Sequence, residues 1–280
     1  MLTDIGRVRK VNEDSVAFVA PAAGTPEENV GFLALVADGM GGHAAGEIAS
    51  ALAAEEVRRA VYASDAPPPE ALRAALESAN RAILDYSAAH PDTRGMGTTC
   101  TAILVRGGLL WLAHVGDSRA YLLRESALTQ FSDDQTLHAQ LIREGVMTPE
   151  EAANSPGGNI ILQALGARDN FEPTISERGL ELRVGDIVLL CSDGLHNLVS
   201  HSEIARILQA NTPQEACREL VEKALAAGGN DNISVGVFCV VAADPPRDRD
   251  QAATKPIKIV VGDAAISGGA PDPAKTRVEG

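Results

Sequence analysis

The stretch Val36-Ala37-Asp38-Gly39-Met40-Gly41-Gly42-His43 closes an apolar run that starts at Phe32, passing through one carboxylate into three glycines. An apolar run bounded by turn residues reads as a buried strand, and the Ala-rich segment after it opens a helix. Strand, acid, glycine-rich turn and helix, in that order, hold a charged group at the rim of a core. Glycine there lets main-chain oxygen approach an ion, so Gly39 joins Asp38 as a candidate ligand. Taken alone, Asp-Gly is an ordinary turn dipeptide.

Repetition changes the reading. Val188 to Cys191 is a second apolar run, followed by Ser192-Asp193-Gly194. Ala113-His114-Val115-Gly116-Asp117-Ser118-Arg119 sets an acid beside glycine within a third strand signal. Gly228-Gly229-Asn230-Asp231-Asn232 precedes the run Ile233 to Val241, and Asn12-Glu13-Asp14 precedes Ser15 to Ala20. Acids at the tips of separate strands repel and desolvate one another when gathered, unless cations neutralise them. An oxygen donor set with glycine and no nearby cysteine favours a hard ion, magnesium or manganese, over zinc.

Composition narrows the alternatives. The chain has 280 residues, 45% hydrophobic and 22% charged, which suits one large globular domain or two small ones. A net charge of −14 disfavours nucleic acid and anionic membrane surfaces as partners. Cys100, Cys191, Cys217 and Cys239 are widely spaced, with neither zinc nor disulfide patterning, which fits a reducing compartment. Met1 to Lys10 has no hydrophobic signal region, and no apolar run is long enough to span a bilayer. A cytoplasmic protein is expected.

Along the chain, Arg7, Arg9 and Lys10 form a basic cluster just ahead of Asn12-Glu13-Asp14, suited to an anionic substrate; a solvated surface arginine is the plainer alternative. Residues 44–62 and 70–88 are expected as helices, the second with Leu72, Leu76, Ala79, Ile83 and Tyr86 on its packing stripe. Thr99 to Val105 and Leu109 to Leu123 read as a hairpin turning at Arg106-Gly107-Gly108, with Asp117 in the second strand and Arg119 as its simplest partner. Residues 133–170 read as a flap with two short helices, the second capped at Thr148. Glu181 to Cys191 is a further strand, 202–210 and 213–226 are helices, and Ile233 to Val241 is the last core strand. Residues 244–280 read as a linker-like tail after a catalytic domain of residues 1–243, with Lys258 to Val261 as a candidate edge strand. Runs of strands with helices in sequential pairs point to an α+β fold, an antiparallel sandwich covered by helices.

The pieces Arg9-Lys10-Val11-Asn12-Glu13-Asp14, Asp38-Gly39-Met40-Gly41-Gly42-His43, Gly95-Met96-Gly97-Thr98-Thr99, Val115-Gly116-Asp117-Ser118-Arg119, Ser192-Asp193-Gly194-Leu195 and Asp231-Asn232-Ile233-Ser234 occur in this order. Together they resemble the metal-dependent Ser/Thr protein phosphatases of the 2C type, in the bacterial form. The resemblance implies a four-layer α-β-β-α sandwich with two Mn²⁺ or Mg²⁺ ions at one end. It implies that Asp38 bridges both ions, the Gly39 carbonyl binds one, and Asp193 and Asp231 hold the other. Glu13 and Asp14 would act directly or through water, Asp117 with Asp193 would form a third, weaker site, and Arg9 would clamp the substrate phosphate. A water activated between the ions would attack phosphorus without a phosphoenzyme. Phosphorylated proteins and a cognate Ser/Thr kinase are the implied partners, and a monomer is expected. Some relatives carry a histidine where this chain has Met40, and the flap has Asp134-Gln135 and Ser155-Pro156 where Asp-His and His-Pro are usual. A catalytically silent phosphopeptide-binding module is the alternative from another class; a purely structural sandwich leaves the shared placement of the acids unexplained.

Overall fold

The structure is a computed structural model and describes residues 1–22, 24–41, 45–157, 160–242 and 257–261. The chain opens with β1 (Leu2–Asp4), β2 (Asp14–Val19) and β3 (Phe32–Met40), then the helices α1 (Ala45–Tyr62) and α2 (Pro68–Ala89). A strand run follows: β4 (Gly97–Thr98), β5 (Cys100–Arg106), β6 (Leu109–Val115), β7 (Arg119–Arg124) and β8 (Ala127–Gln130). The flap carries α3 (Leu137–Arg143) and α4 (Pro149–Ala153), and leads to β9 (Thr174–Ile175), β10 (Leu180–Glu181) and β11 (Ile187–Cys191). The chain continues through α5 (Asp193–His196), α6 (His201–Ala210), α7 (Pro213–Ala226), β12 (Ile233–Ala242) and β13 (Ile257–Val261).

Two antiparallel sheets result. One runs β1-β12-β11-β7-β8, with β13 also on β12; the other runs β10-β6-β5-β3-β2, with β4 on β3 and β9 on β6. Strand alternation sets the layers. In β3, Leu33, Leu35 and Ala37 pack under α1 and α2, while Phe32, Ala34 and Val36 face the opposite sheet. In β12, Ile233, Val235 and Val237 pack under α6 and α7, while Phe238 and Val240 enter the core between the sheets, where Phe238 meets Phe32 edge-on at 5.2 Å. Each sheet thus buries both faces, and the helices cover the outer ones. The four-layer α-β-β-α architecture is the observed one.

Several local expectations are corrected. Leu109 to Leu123 is not one strand: β6 and β7 belong to different sheets, and the chain crosses between them at Gly116–Ser118. Gly116 adopts φ +104°, open to glycine and strained for other residues. Glu181 to Cys191 divides in the same way, β10 on one sheet and β11 on the other, with Gly185 at φ +95° between them. Asp38 to Met40 do not turn but continue β3, because Gly39 and Met40 pair with Thr98 and Gly97 of β4. Gly42, His43 and most of the 244–280 tail lie outside the described residues. The part that is described, Ile257–Val261, forms the edge strand β13 on β12.

Candidate active site

The apolar layer between the sheets ends at one end of the sandwich. Stepping by two along β3, Phe32, Ala34 and Val36 lead to Asp38; along β11, Val188 and Leu190 lead to Ser192. Followed in reverse, Val105 and Ile103 of β5 lead to Thr101 and Thr99, and Val240 and Phe238 of β12 lead to Ser234. Antiparallel pairing puts all of these polar positions at the same end. Beyond them lies a cavity of about 230 Å³ walled by Arg9, Glu13, Asp38, Asp117, Asp193 and Asp231, with Gly39, Met40, Gly41 and Ile161 completing it.

Each acid is held by a different element. The Asp38 carbonyl accepts from Thr98 Oγ1 and Thr99 N at 2.9 Å each, and its N–H donates to Thr99 Oγ1 at 2.9 Å. Gly39 passes so close to the start of α1 that an added Cβ would overlap the Gly46 carbonyl. Asp193 begins α5, with its Oδ2 accepting from Asn197 Nδ2 at 3.2 Å. Asp117 sits on the crossover, where its carbonyl accepts from His196 Nε2 at 3.1 Å. Asp231 accepts from Arg9 Nη2 at 2.6 Å, and Arg9 also lies 3.5 Å from Glu13. Asn232 clips the N-terminal arm in place: Nδ2 donates to the Ile5 and Val11 carbonyls, and Oδ1 accepts from Glu13 N.

Asp14 differs from the other candidates. It pairs with Asp38 across β2–β3 but does not line the cavity; its Oδ2 accepts from Ser192 Oγ of the opposite sheet at 2.8 Å. Arg119 does not pair with Asp117. Its guanidinium forks onto Asp134 at 2.6–3.1 Å and reaches the Tyr121 hydroxyl.

Burial makes this acid group costly to ionise. Desolvation, followed by the charge of Asp14 and Asp193, pushes the Asp38 carboxyl well above the usual range. Burial raises Asp117 to about 7, with Asp193 adding to the effect, and raises Asp14 to about 6 against hydrogen bonds from Ser234 and Ser192. Burial also lifts Asp193, with Asp231 the next cause, and Glu13, where Arg9 opposes it. Burial holds His196 down at about 4, and His114 is lowered by the same cause.

The residues fit divalent cations. Among the described residues, Asp14 Oδ1, Asp117 Oδ1 and Asp193 Oδ1 are buried carboxylate oxygens with no hydrogen-bond partner. Buried polar atoms of this kind call for an ion or water. The donors are all oxygen, suiting Mn²⁺ or Mg²⁺. The acids ring the cavity rather than meeting at one point: among the described residues, no three His, Cys, Asp or Glu side chains form a compact metal-holding group. Carbonyl oxygen and water would therefore complete any coordination shell, as is usual for these hard ions.

Two kinds of site residue escaped the sequence. Met40 and Gly41 read in the sequence as motif members rather than as walls, and Ile161 sits in a flap whose sequence does not single it out. The hydroxyl anchors Ser192, Thr98 and Thr99 lie inside quoted motifs, but the aspartates they bond, 60 or more positions away, have no signal in the chain.

Comparison with known proteins agrees with this arrangement. The profile described as Protein phosphatase 2C matches residues 7–227. The Serine/threonine protein phosphatase PstP of Mycobacterium tuberculosis is 44% identical over 259 residues, covering 91% of this chain and 46% of PstP. The chain thus spans about half the length of that relative. The Serine/threonine phosphatase stp of Listeria monocytogenes is 36% identical over 239 residues, 83% of this chain and 92% of its own. The crystal structure of the PstP catalytic domain in complex with two manganese ions matches with a TM-score of 0.71 at 43% identity, covering 84% of this chain and 94% of that one. With its acids drawn from separate strands to one end of a four-layer sandwich and this similarity along most of its length, the chain belongs to the protein phosphatase 2C family.

Proposed function

We propose that this protein hydrolyses phosphoserine and phosphothreonine on proteins in a reaction dependent on Mn²⁺ or Mg²⁺, opposing a Ser/Thr kinase. The observation that carries the reading is one cavity walled by Asp38, Asp117, Asp193 and Asp231 from four distant segments, two of them with unpartnered buried oxygens. Asp38, the Gly39 carbonyl, Asp193 and Asp231 would hold the two principal ions, with Glu13 beside them and Asp117 with Asp193 at a weaker third position. Bound divalent cations would lower the pKa of coordinated water and offset the charge on the phosphoryl oxygens.

The chain's own residues supply the rest. Arg9 stands at the cavity wall with a guanidinium fork matched to two phosphoryl oxygens, and would leave Asp231 for the phosphate once that acid is neutralised. Met40 has no proton to give the departing seryl or threonyl oxygen, and neither His114 nor His196 lines the cavity. Among the described residues no histidine lines the cavity, so water in it would protonate the leaving group. All four cysteines are unpaired, in keeping with work in a reducing compartment such as the cytoplasm.

The test is hydrolysis of an aryl phosphate and a phosphopeptide during Mn²⁺ titration. Turnover that rises with metal and vanishes in Asp38→Ala and Asp193→Ala is expected. Metal binding without turnover would replace this reading with that of a silent phosphopeptide-binding module.

A further inference from the structure

The backbone around Asp117 is gripped from three directions, while the buried carboxylate oxygen Oδ1 has no partner among the described residues. On one side, Ser118 Oγ shares a 2.8 Å hydrogen bond with Thr99 Oγ1, and the Ser118 carbonyl accepts from Thr101 Oγ1 at 2.9 Å. From α5, His196 binds the Asp117 carbonyl. The third grip is Gln135, which holds both faces of Gly116. The Gly116 N–H donates to Gln135 Oε1 at 2.8 Å, and the Gln135 N–H donates to the Gly116 carbonyl at 2.8 Å. A Cβ at Gly116 would lie 2.6 Å from Thr99 Cγ2, so the loop has no slack on that side.

Of these grips, only Gln135 belongs to the flap. Its carbonyl accepts from Leu162 N at 2.8 Å, Leu137 N donates to the Ile160 carbonyl at 2.9 Å, and Thr136 pairs with Ile161. Residues 135–137 and 160–162 therefore form a short ladder, and Ile161 is its contribution to the cavity wall. The far root of the flap is fixed separately. Buried Asn80 of α2 accepts from Gly166 N at 2.7 Å and donates to the Arg168 and Asp169 carbonyls at 3.1 and 3.4 Å. With that root held, motion at Ile161 reaches the Asp117 loop through Gln135, while Leu165, paired with Thr98, ties the same segment to the Asp38 carbonyl.

We propose that Gln135 is a positioning residue that couples the flap to the loop bearing Asp117. A peptide chain flanking the phosphate, seated against Ile161, shifts the ladder and with it the placement of the Asp117 carboxylate. A small aryl phosphate, too short to press on the flap, does not. The proposal rests on the phosphatase reading and names a residue through which that site distinguishes protein from small-molecule substrates.

The test uses Gln135→Met, which keeps the length but removes the oxygen, and Gln135→Glu, which keeps an accepting oxygen. The main-chain bond from residue 135 to Gly116 survives in both. In the metal-free full chain, Gln135→Met is expected to speed amide exchange at Gly116 roughly fivefold to tenfold. In a Mn²⁺ binding isotherm it loosens the weakest binding about tenfold and leaves tighter binding unchanged. Its KM for a phosphopeptide rises while kcat/KM for an aryl phosphate is unaltered, and Gln135→Glu restores protection at Gly116. Wild-type exchange at Gly116 in Gln135→Met, or equal effects of both variants accompanied by a fall in melting temperature, would overturn the proposal. Gly116 exchange is read without turnover, so an inactive parent protein would defeat the phosphatase reading and leave this measurement standing.

Discussion

Asp14 and Asp38 face each other across the β2–β3 pair, yet only Asp38 reaches the cavity. Asp14 is turned toward the other sheet, where Ser192 Oγ donates to it at 2.8 Å and in turn accepts from Ser234 N at 3.0 Å. One carboxylate therefore lines the cavity, and the other ties the sheets together behind it. Asp38→Ala should remove metal-dependent turnover altogether. Asp14→Asn keeps the shape and an oxygen for Ser192, so a loss of about tenfold to a hundredfold is expected, as for groups that orient a metal's ligands. Equal kinetic damage from both substitutions would contradict this division of roles.

The raised carboxyl groups make a prediction about stability. In the metal-free protein, burial lifts Asp14 to about 6 and Asp117 to about 7, from an ordinary value of 3.8. The folded state therefore binds protons more tightly than the unfolded chain. The stabilising contribution is complete below 3.8 and disappears as pH rises through these folded values. Cations need the ionised acids, so their stabilisation grows in the opposite direction. Melting temperatures in EDTA and in Mn²⁺ should diverge as pH is raised from about 5.5 to 8. A constant gap across that range would count against cation binding at these acids.

Asp117→Ala should separate the weaker position from the principal pair. Two tight Mn²⁺ sites should remain in a binding isotherm while phosphoprotein turnover falls. Full phosphoprotein activity in this variant would eliminate a role for Asp117 in cation binding.

Arg9 is bonded to Asp231 at 2.6 Å and half exposed, which leaves its fork free to exchange partners. Arg9→Ala is expected to raise KM for a phosphopeptide by about tenfold or more, the scale of a hydrogen bond to a charged group. Arg9→Lys keeps the charge but loses the planar fork, so only part of the affinity should return. A lysine variant indistinguishable from the parent would show that charge alone suffices.

Gly39 packs against the Gly46 carbonyl and the Glu13 carbonyl, with no room for a methyl group. Gly39→Ala should lower stability by about 1–3 kcal/mol as the start of α1 is displaced. It should also weaken Mn²⁺ binding, because Asp38 and Glu13 flank the displaced segment. Thermal melts and metal isotherms on one preparation would check both, and an unchanged melting temperature would refute the close-packing account.

Much of the fold was legible because burial repeats along the chain. The long stripe from Leu72 to Tyr86 became α2, the run from Ile233 became β12, and the capped segment at Thr148 became α4 with both bonds of its capping box. The places misjudged from sequence were those where local pattern and global path diverge. Leu109 to Leu123 is apolar throughout, but Gly116 lets the chain leave one sheet and enter the other. Arg119 lies two residues from Asp117, yet the crossover aims it at Asp134.

The sequence by itself determined which acids were unusual, since an aspartate at the tip of an apolar run is visible in one dimension. That Gly39 continues β3, where the sequence reads as a glycine-rich turn, came from its pairing with Thr98 of β4. Only the tertiary structure decided that Asp38, Asp117, Asp193 and Asp231 share one cavity and that Asp14 stands behind it. That outcome depends on antiparallel register and sheet stacking, which bring together residues more than 100 positions apart and are set by the packing of the whole core.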